Sequence, residues 1–261
     1  MGKMGKAIAW STAEQFGAKA LSLLTQIVLA RLLAPEEFGI LAILLVVVNV
    51  ADVIAQSGFG QAIIQKADAT EETFSTALWI SLLIAVVIYA IVFLLSPAIA
   101  TFYENEAINL YLKVVSLKLF LDSLNSIQRS ILQKNMQFKV LFRTSFSATL
   151  VSGVAGIACA ALGFGIWALI IQVMLNSLLA CLVMALHLKW LPKLVFRLDE
   201  AYELFHFGWK MAVTGVLLTV NSGVAELVIG KTCSTAALGY YSQGKKYPAA
   251  VMGSTTNALC N

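Results

Sequence analysis

The chain has 261 residues, 59% hydrophobic and only 12% charged, with a formal net charge of +4. Soluble domains carry about 25% charged residues, so apolar blocks at this charge density exclude an ordinary soluble protein and point to an integral membrane protein. No basic run interleaved with aromatics lies outside those blocks, which argues against a nucleic-acid partner.

A membrane helix needs about 20 mainly apolar residues. Taken in order, the spans read as 7–33, 38–60, 74–96, 108–132, 140–162, 166–188 and 204–229, with an eighth opening near Leu238. The expected fold class is therefore an all-α membrane protein, a polytopic helical bundle. Lys3 and Lys6 precede the first span, but Glu14, Gln15 and Lys19 interrupt it, unlike the h-region of a cleaved signal peptide. Connections are short. Ala34–Glu37 is expected to be a tight turn, and Gly163-Phe164-Gly165 joins two antiparallel helices. Residues 189–203, with Pro192 and mixed charges, form the longest link.

Part of the chain repeats. Arg31 and Gly39 in RLLAPEEFG match Lys231 and Gly239 in KTCSTAALG at a constant offset of 200, and Ser22 with Ser222 and Val28 with Val228 share the register. Such a repeat marks transporters built from two related lobes. The predicted organisation is a six-helix lobe over 1–188, a cytoplasmic linker over 189–203, and over 204–261 the first hairpin of a second lobe, read as C-terminally truncated.

Lysines and arginines concentrate in alternate loops. Lys66, Lys134, Lys139, Lys189, Lys193 and Arg197 lie on the side of Lys3 and Lys6, whereas residues 97–107 carry Glu104 and Glu106 without a base. The positive-inside bias places the N-terminus in the cytoplasm. Arg31 and Lys231 sit at helix ends, where long basic side chains snorkel. Trp79, Trp167, Trp190 and Trp209 lie near span ends, as an aromatic belt does. Ser145, Ser152, Gly156 and Ala160 give the fifth span a small-residue packing face. Cys159, Cys181, Cys233 and Cys260 fit no metal-ligand spacing, and no metal or cofactor is expected.

Polar residues inside the spans carry the functional signal. Gln15, Lys19, Ser22 and Gln26 share one face of the first helix. Asn49, Asp52 and Gln56 do so in the second. Lys118, Asp122, Asn125 and Arg129 line the fourth, Gln172 and Asn176 the sixth, and Thr219, Ser222 and Glu226 the seventh. A charge at the bilayer centre costs roughly 2.5–3.5 kcal/mol on insertion scales. Stripes on several helices therefore favour a shared wet cavity. Two readings stand for Lys118 and Asp122: a self-neutralising i, i+4 pair, or a cavity wall. Asp52 reads either as an inter-helix hydrogen-bonding group or as a functional carboxylate. No HExxH, GxSxG or phosphate-loop motif is present, and the chain is not expected to be an enzyme.

The stretch WSTAEQFGAKALSLLTQIVLARLLAPEEFGILAI resembles the opening of Wzx-type polysaccharide flippases. These form the polysaccharide transport branch of the multidrug/oligosaccharidyl-lipid/polysaccharide exporter superfamily. FGWKMAVTGV and LVIGKTCSTAALGYYSQGKKYP resemble that branch's seventh and eighth helices, and IQRSILQKNMQFKVL resembles its loop between helices four and five. The resemblance covers essentially the whole chain in order. It implies translocation of a polyprenyl-pyrophosphate-linked oligosaccharide in O-antigen, exopolysaccharide or lipopolysaccharide biosynthesis, by alternating access through a cationic cavity. It implies Lys19, Lys118 and Lys210 as cavity cations. Gln15, Gln26, Asn49, Gln56, Asn125 and Asn176 are implied as sugar ligands, and Asp52, Asp122 and Glu226 as ion-coupling groups. Expected partners are the lipid-linked oligosaccharide, membrane lipids and polysaccharide polymerase or assembly proteins, at the bacterial inner membrane. Two alternatives remain: a multidrug extruder of the same superfamily, or a non-transporting remnant or scaffold.

Overall fold

The computed structural model describes residues 3–246 apart from 57, 67, 189 and 191, and only the backbone over 3–16. Among the described residues every regular element is a helix. In order these are α1 (Lys3–Leu32), α2 (Pro35–Gln56), α3 (Phe59–Gln65), α4 (Glu71–Phe102), α5 (Ala107–Ser116), α6 (Lys118–Lys134), α7 (Phe138–Ala161), α8 (Ile166–Leu188) and α9 (Leu198–Thr232). A last helix, α10, covers 235–246 of the described residues. Among these, α2, α4, α7, α8 and α9 are long and apolar enough to cross a membrane. The chain is thus an all-α, multi-pass membrane protein.

The repeat survives in three dimensions as the same turn. α1 ends at Leu32 and α2 starts at Pro35, while α9 ends at Thr232 and α10 starts at 235. Proline suits the first position of α2, where no N–H is needed. Its free first-turn donors meet different caps in the two copies. Glu37 Oε2 accepts from the Ala34 N–H at 3.0 Å, whereas the Ser234 hydroxyl accepts from the Ala237 N–H at 3.1 Å. A serine cap and a back-reaching carboxylate solve the same problem of unpaired N–H groups.

The chain forms two compact units. One comprises 1–43, 137–180 and 226–261; the other comprises 44–136 and 181–225. In the first, α1 packs along α7. Gly153 permits this approach, since a Cβ there would lie 2.7 Å from Thr25 Oγ1. Gly156 likewise meets Gln172 of α8, and the Asn176 amide donates to the Ser152 hydroxyl at 3.2 Å. Ser152 and Gly156 belong to the small-residue face expected on α7 and meet α8, whereas Gly153, which meets α1, was not among the residues expected there.

In the second unit, Phe59 and Ile63 of α3 form an apolar core with Leu78, Ile127, Ile131 and Leu204. α4 opens with a capping box of Thr70 and Thr73. Pro97 inside α4 cannot donate to the Phe93 carbonyl. The Ser96 hydroxyl takes that carbonyl at 2.8 Å and also meets Asn109 of α5 at 2.8 Å. Leu83, Val86 and Leu94 of α4 stay exposed, as a lipid-facing surface requires.

Several elements differ from the sequence reading. The turn expected over Ala34–Glu37 is shorter, because α2 already starts at Pro35; the end of the span read as 38–60 belongs to a separate helix, α3; and α4 continues through Pro97 to Phe102, into the stretch read as a loop. The span read as 108–132 is two helices, interrupted at Leu117, where the Leu117 N–H bonds to Val114 O at 3.1 Å in a tightened turn. α9 begins at Leu198, inside the predicted linker, and its 35 residues extend about 52 Å, longer than a hydrocarbon core of about 30 Å. Its first turns, with Asp199 and Glu200, therefore project beyond the membrane.

The link before α9 is fastened to α4. The Trp79 indole N–H donates to Lys193 O at 2.9 Å, the Lys193 N–H to the Ser75 hydroxyl at 3.1 Å, and the Arg197 N–H to Thr76 at 3.3 Å. Lys193 pairs with Glu71 at 2.6 Å and Arg197 with Glu72 at 3.0 Å.

Candidate functional site

In the second unit α2 and α6 bring three charged side chains together. The Lys118 ammonium donates to Asp122 one turn along α6 and lies 3.7 Å from Asp52 Oδ2 of α2. All three side chains are largely buried. The i, i+4 pairing read from the sequence is present. Asp52, which has no charged neighbour on its own helix, finds its counter-ion on another. Two carboxylates on one ammonium leave a formal charge of −1 when all are ionised. Asp52 Oδ1 is buried without a hydrogen-bond partner among the described residues. An unmet acceptor of this kind is suited to take up a proton or a cation.

The polar face of α6 continues from this triad. Asn125 is half-buried. A cavity of about 360 Å³ follows, lined from α6 by Ser126, Arg129, Ser130 and Gln133, from α2 by Gln56 and from α3 by Gln61. Gln56 was a candidate from sequence. Gln61 and Gln133 were not. Gln133 extends the spacing of Lys118, Asp122, Asn125 and Arg129 by one more i, i+4 step, which is the signal that could have found it. Asn49 lies on the exposed side of α2.

Lys210 of α9 lines a second cavity in this unit, of about 550 Å³, with Lys66, Glu203 and His206. His206 stacks on Tyr202 with ring centroids 6.1 Å apart. Lys66 is held by Glu200 at 2.7 Å and Glu203 at 2.6 Å. Burial opposes its charge, but the hydrogen bonds and charges of the two carboxylates prevail, and its pKa stands above the ordinary lysine value. The Lys134 ammonium donates to the carbonyls of Ile63 and Lys66 at the end of α3, favourable for a cation at a helix C-terminus.

In the first unit, Gln26 of α1 accepts from Gln243 Nε2 at 3.4 Å and from Lys246 Nζ at 3.3 Å, both of α10. Glu226 pairs with Lys245 at 3.0 Å. Gln26 and Glu226 are related by the 200-residue offset, and each engages one of two consecutive α10 lysines. Sequence reading singled out neither Lys245 nor Lys246, because their partners lie on other helices, α9 and α1. Lys19 is half-buried on α1. The Asn176 amide nitrogen donates to the hydroxyls of Ser152 and Thr149. The Gln15 side chain lies outside the described residues.

Apolar helices long enough to span a membrane, with charges and amides set among them, define a polytopic membrane protein. A solved inward-facing structure of a multidrug resistance MATE family transporter of the MOP superfamily shares the fold, with a TM-score of 0.50 at 14% identity, over 91% of this chain and 56% of that one. Residues 28–261 match the family described as polysaccharide biosynthesis protein, and the chain belongs to that family. Among its relatives, the succinoglycan biosynthesis transport protein ExoT of Rhizobium meliloti is 26% identical, over 92% of this chain and 49% of its own length. The teichuronic acid biosynthesis protein TuaB of Bacillus subtilis is 28% identical, over 74% of this chain and 40% of its own length. The lipopolysaccharide biosynthesis protein WzxC of Escherichia coli is 24% identical, over 89% and 48%. The chain thus spans about half the length of these relatives.

Proposed function

We propose that the chain acts in moving a polyprenyl-pyrophosphate-linked oligosaccharide across the bacterial inner membrane, from the cytoplasmic to the outer leaflet, with its N-terminus in the cytoplasm. The observation that carries this reading is the charged and amide-lined stripe of α6 within apolar spans, in a chain of the polysaccharide biosynthesis family. The relatives named above serve transport or biosynthesis of succinoglycan, teichuronic acid and lipopolysaccharide. The work is binding and conformational exchange, with no covalent step. A cationic group favours the pyrophosphate, and amides and hydroxyls exchange hydrogen bonds with sugar hydroxyls.

Within this reading Lys19, Lys118 and Lys210 are the cavity cations. Gln15, Gln26, Asn49, Gln56, Asn125 and Asn176 are the sugar-facing groups, and Asp52, Asp122 and Glu226 the coupling carboxylates. Lys118 holds Asp52 and Asp122 together, so a phosphate reaching it must compete with them, and protonation of either carboxylate would release it. Ion coupling and cargo binding then meet at one lysine. The test is K19A combined with K118A in cells dependent on the protein. Loss of surface glycan supports the assignment; unimpaired display removes these lysines from it. Polymerase or assembly partners would act on the delivered glycan.

One observation favours a second reading. The triad carries more carboxylate than ammonium, which suits a cationic drug. Efflux of an organic cation from cells expressing the protein, without any effect on surface glycan, would decide for a multidrug extruder.

A further inference from the structure

We propose that the cavity between α2, α3, α6 and α9 is a loading site for the glycosyl-phosphate end of the cargo, separate from the Asp52–Lys118–Asp122 triad. The inference rests on the polysaccharide-transport reading above and adds a location to it.

Gln56, Gln61 and Gln133 supply three amides, Ser126 and Ser130 two hydroxyls, and Arg129 a guanidinium. Among the described residues no carboxylate lines this cavity. Amides and hydroxyls each donate and accept, as vicinal sugar hydroxyls do. A guanidinium matches two phosphate oxygens at once. The volume of about 360 Å³ falls within the range of small-molecule sites. A gap left by imperfect packing would be apolar and dry; six polar side chains facing one space are not of that kind.

The backbone packs closely beside the two serines, of which Ser130 is buried and Ser126 half-buried. α3 is a short helix entered through Gly58, whose φ of 69° favours glycine. Gly60 follows, and a Cβ there would stand 2.7 Å from Ser130 Oγ and 3.2 Å from Ser126 Oγ. Any larger residue would crowd the two serines. Ser130 donates its own proton to the Ser126 carbonyl at 2.8 Å, which leaves its oxygen free to accept.

Position supports the assignment. The cavity lies beside the basic α3–α4 and α6–α7 connections, the side read as cytoplasmic, where a lipid-linked precursor would be met. It shares Met211 with the 550 Å³ cavity, whose wall is apolar at Ala62, Leu204 and Phe207 and carries Lys210. An amide- and hydroxyl-lined pocket next to one that joins apolar walls to Lys66, Lys210, His206 and Glu203 offers places for the sugar, the phosphate and the chain of an amphiphile. From Gln133 the stripe of α6 leads back to Lys118 over about 22 Å of helix, a marked route from loading to the triad.

The experiment measures lipid binding to the purified chain in nanodiscs, by native mass spectrometry. The probes are N-acetylglucosaminyl-pyrophosphoryl-undecaprenol and undecaprenyl pyrophosphate without sugar. Wild-type protein is expected to prefer the sugar-bearing lipid by about tenfold, the effect of one or two lost hydrogen bonds. The Q61A/Q133A variant should bind both lipids alike. R129A should weaken both. Gln61 and Arg129 are exposed and Gln133 is half-buried, so the unfolding midpoint of each variant is measured alongside, and A212F fills the cavity from α9 as an independent check. If wild type prefers the sugar-bearing lipid and Q61A/Q133A and A212F keep that preference, the site is wrong and the transport reading stands. If wild type binds neither lipid, the transport reading fails with it.

Discussion

Gly39 and Gly239, two hundred positions apart in sequence, sit in a reciprocal backbone contact. A Cβ on Gly39 would fall onto the Thr235 carbonyl oxygen, and a Cβ on Gly239 onto the Pro35 carbonyl oxygen. Thr235 is the repeat equivalent of Pro35, so each copy of the hairpin uses the same residue to admit the same turn of the other. The sequence repeat is thus also a contact. α2 and α10 approach as closely as small residues permit, and the obstacle is main chain, which cannot rotate away as a side chain does.

Gly39→Ala and Gly239→Ala should therefore each destabilise the protein. Overpacking of a tight contact costs about 1–3 kcal/mol. Both substitutions force the same two helices apart, so the double variant should cost less than the sum. Thermal unfolding in detergent micelles reads this directly. Unchanged midpoints in both single variants would contradict the contact.

The triad predicts an asymmetric series. Lys118→Ala leaves Asp52 and Asp122 buried together without their ammonium, and breaking such a pair from one side costs about 3–5 kcal/mol. Lys118→Ala with Asp122→Asn removes opposite charges together and should recover at least half of that loss. Asp52→Asn, which leaves the adjacent i, i+4 pair intact, should be the mildest. The ranking is checked by unfolding midpoints of the three variants at one pH. A double variant no more stable than Lys118→Ala would show that the three groups do not share charge.

The start of α9 should stay latched across the neutral and mildly alkaline range. Lys66 has its pKa raised in the folded protein by Glu200 and Glu203, against an opposing effect of burial. A raised lysine pKa contributes stability that is complete below its unfolded value and is lost as pH rises through the folded one. The window of loss therefore lies above the usual lysine pKa of about 10.4. A nitroxide at Tyr202, an exposed position of α9, should keep constant mobility from pH 7 to about 10 and loosen above it. Lys66→Met should loosen it at every pH. Equal mobility in Lys66→Met and wild type would show that the ion pairs do not hold this segment.

How much of this was legible depends on the kind of contact. Most of the long helices, and a turn after α1 that recurs after α9, follow from local pattern, although the turn was read at Ala34–Glu37 and lies at 33–34. The Lys118–Asp122 pair is legible because both residues share a helix face. Asp52 is not, because its counter-ion comes from α6 and only packing brings the two together. The same reason hid Lys245 and Lys246 as partners of Glu226 and Gln26. The break at Leu117 carries no glycine or proline to announce it. α3 is too short at 7 residues to show a period, so the cavity that Gln61 helps to line could not be seen from spacing alone.

Met136 closes the connection between α6 and α7 with φ 53°, a left-handed conformation that costs a non-glycine residue about 1–2 kcal/mol. Its side chain is 67% exposed, so little packing is lost by removing it. Its N–H bonds to Gln133 O at 2.9 Å, a contact that glycine retains. Met136→Gly relieves the backbone strain, while the greater freedom of glycine in the unfolded chain opposes it by about 0.4–1 kcal/mol. The net expectation is a gain of about 0.5–1 kcal/mol, seen as a higher unfolding midpoint. Met136→Val, β-branched and ill-suited to positive φ, should lower it. If both variants melt with wild type, the turn does not adopt this conformation in the membrane.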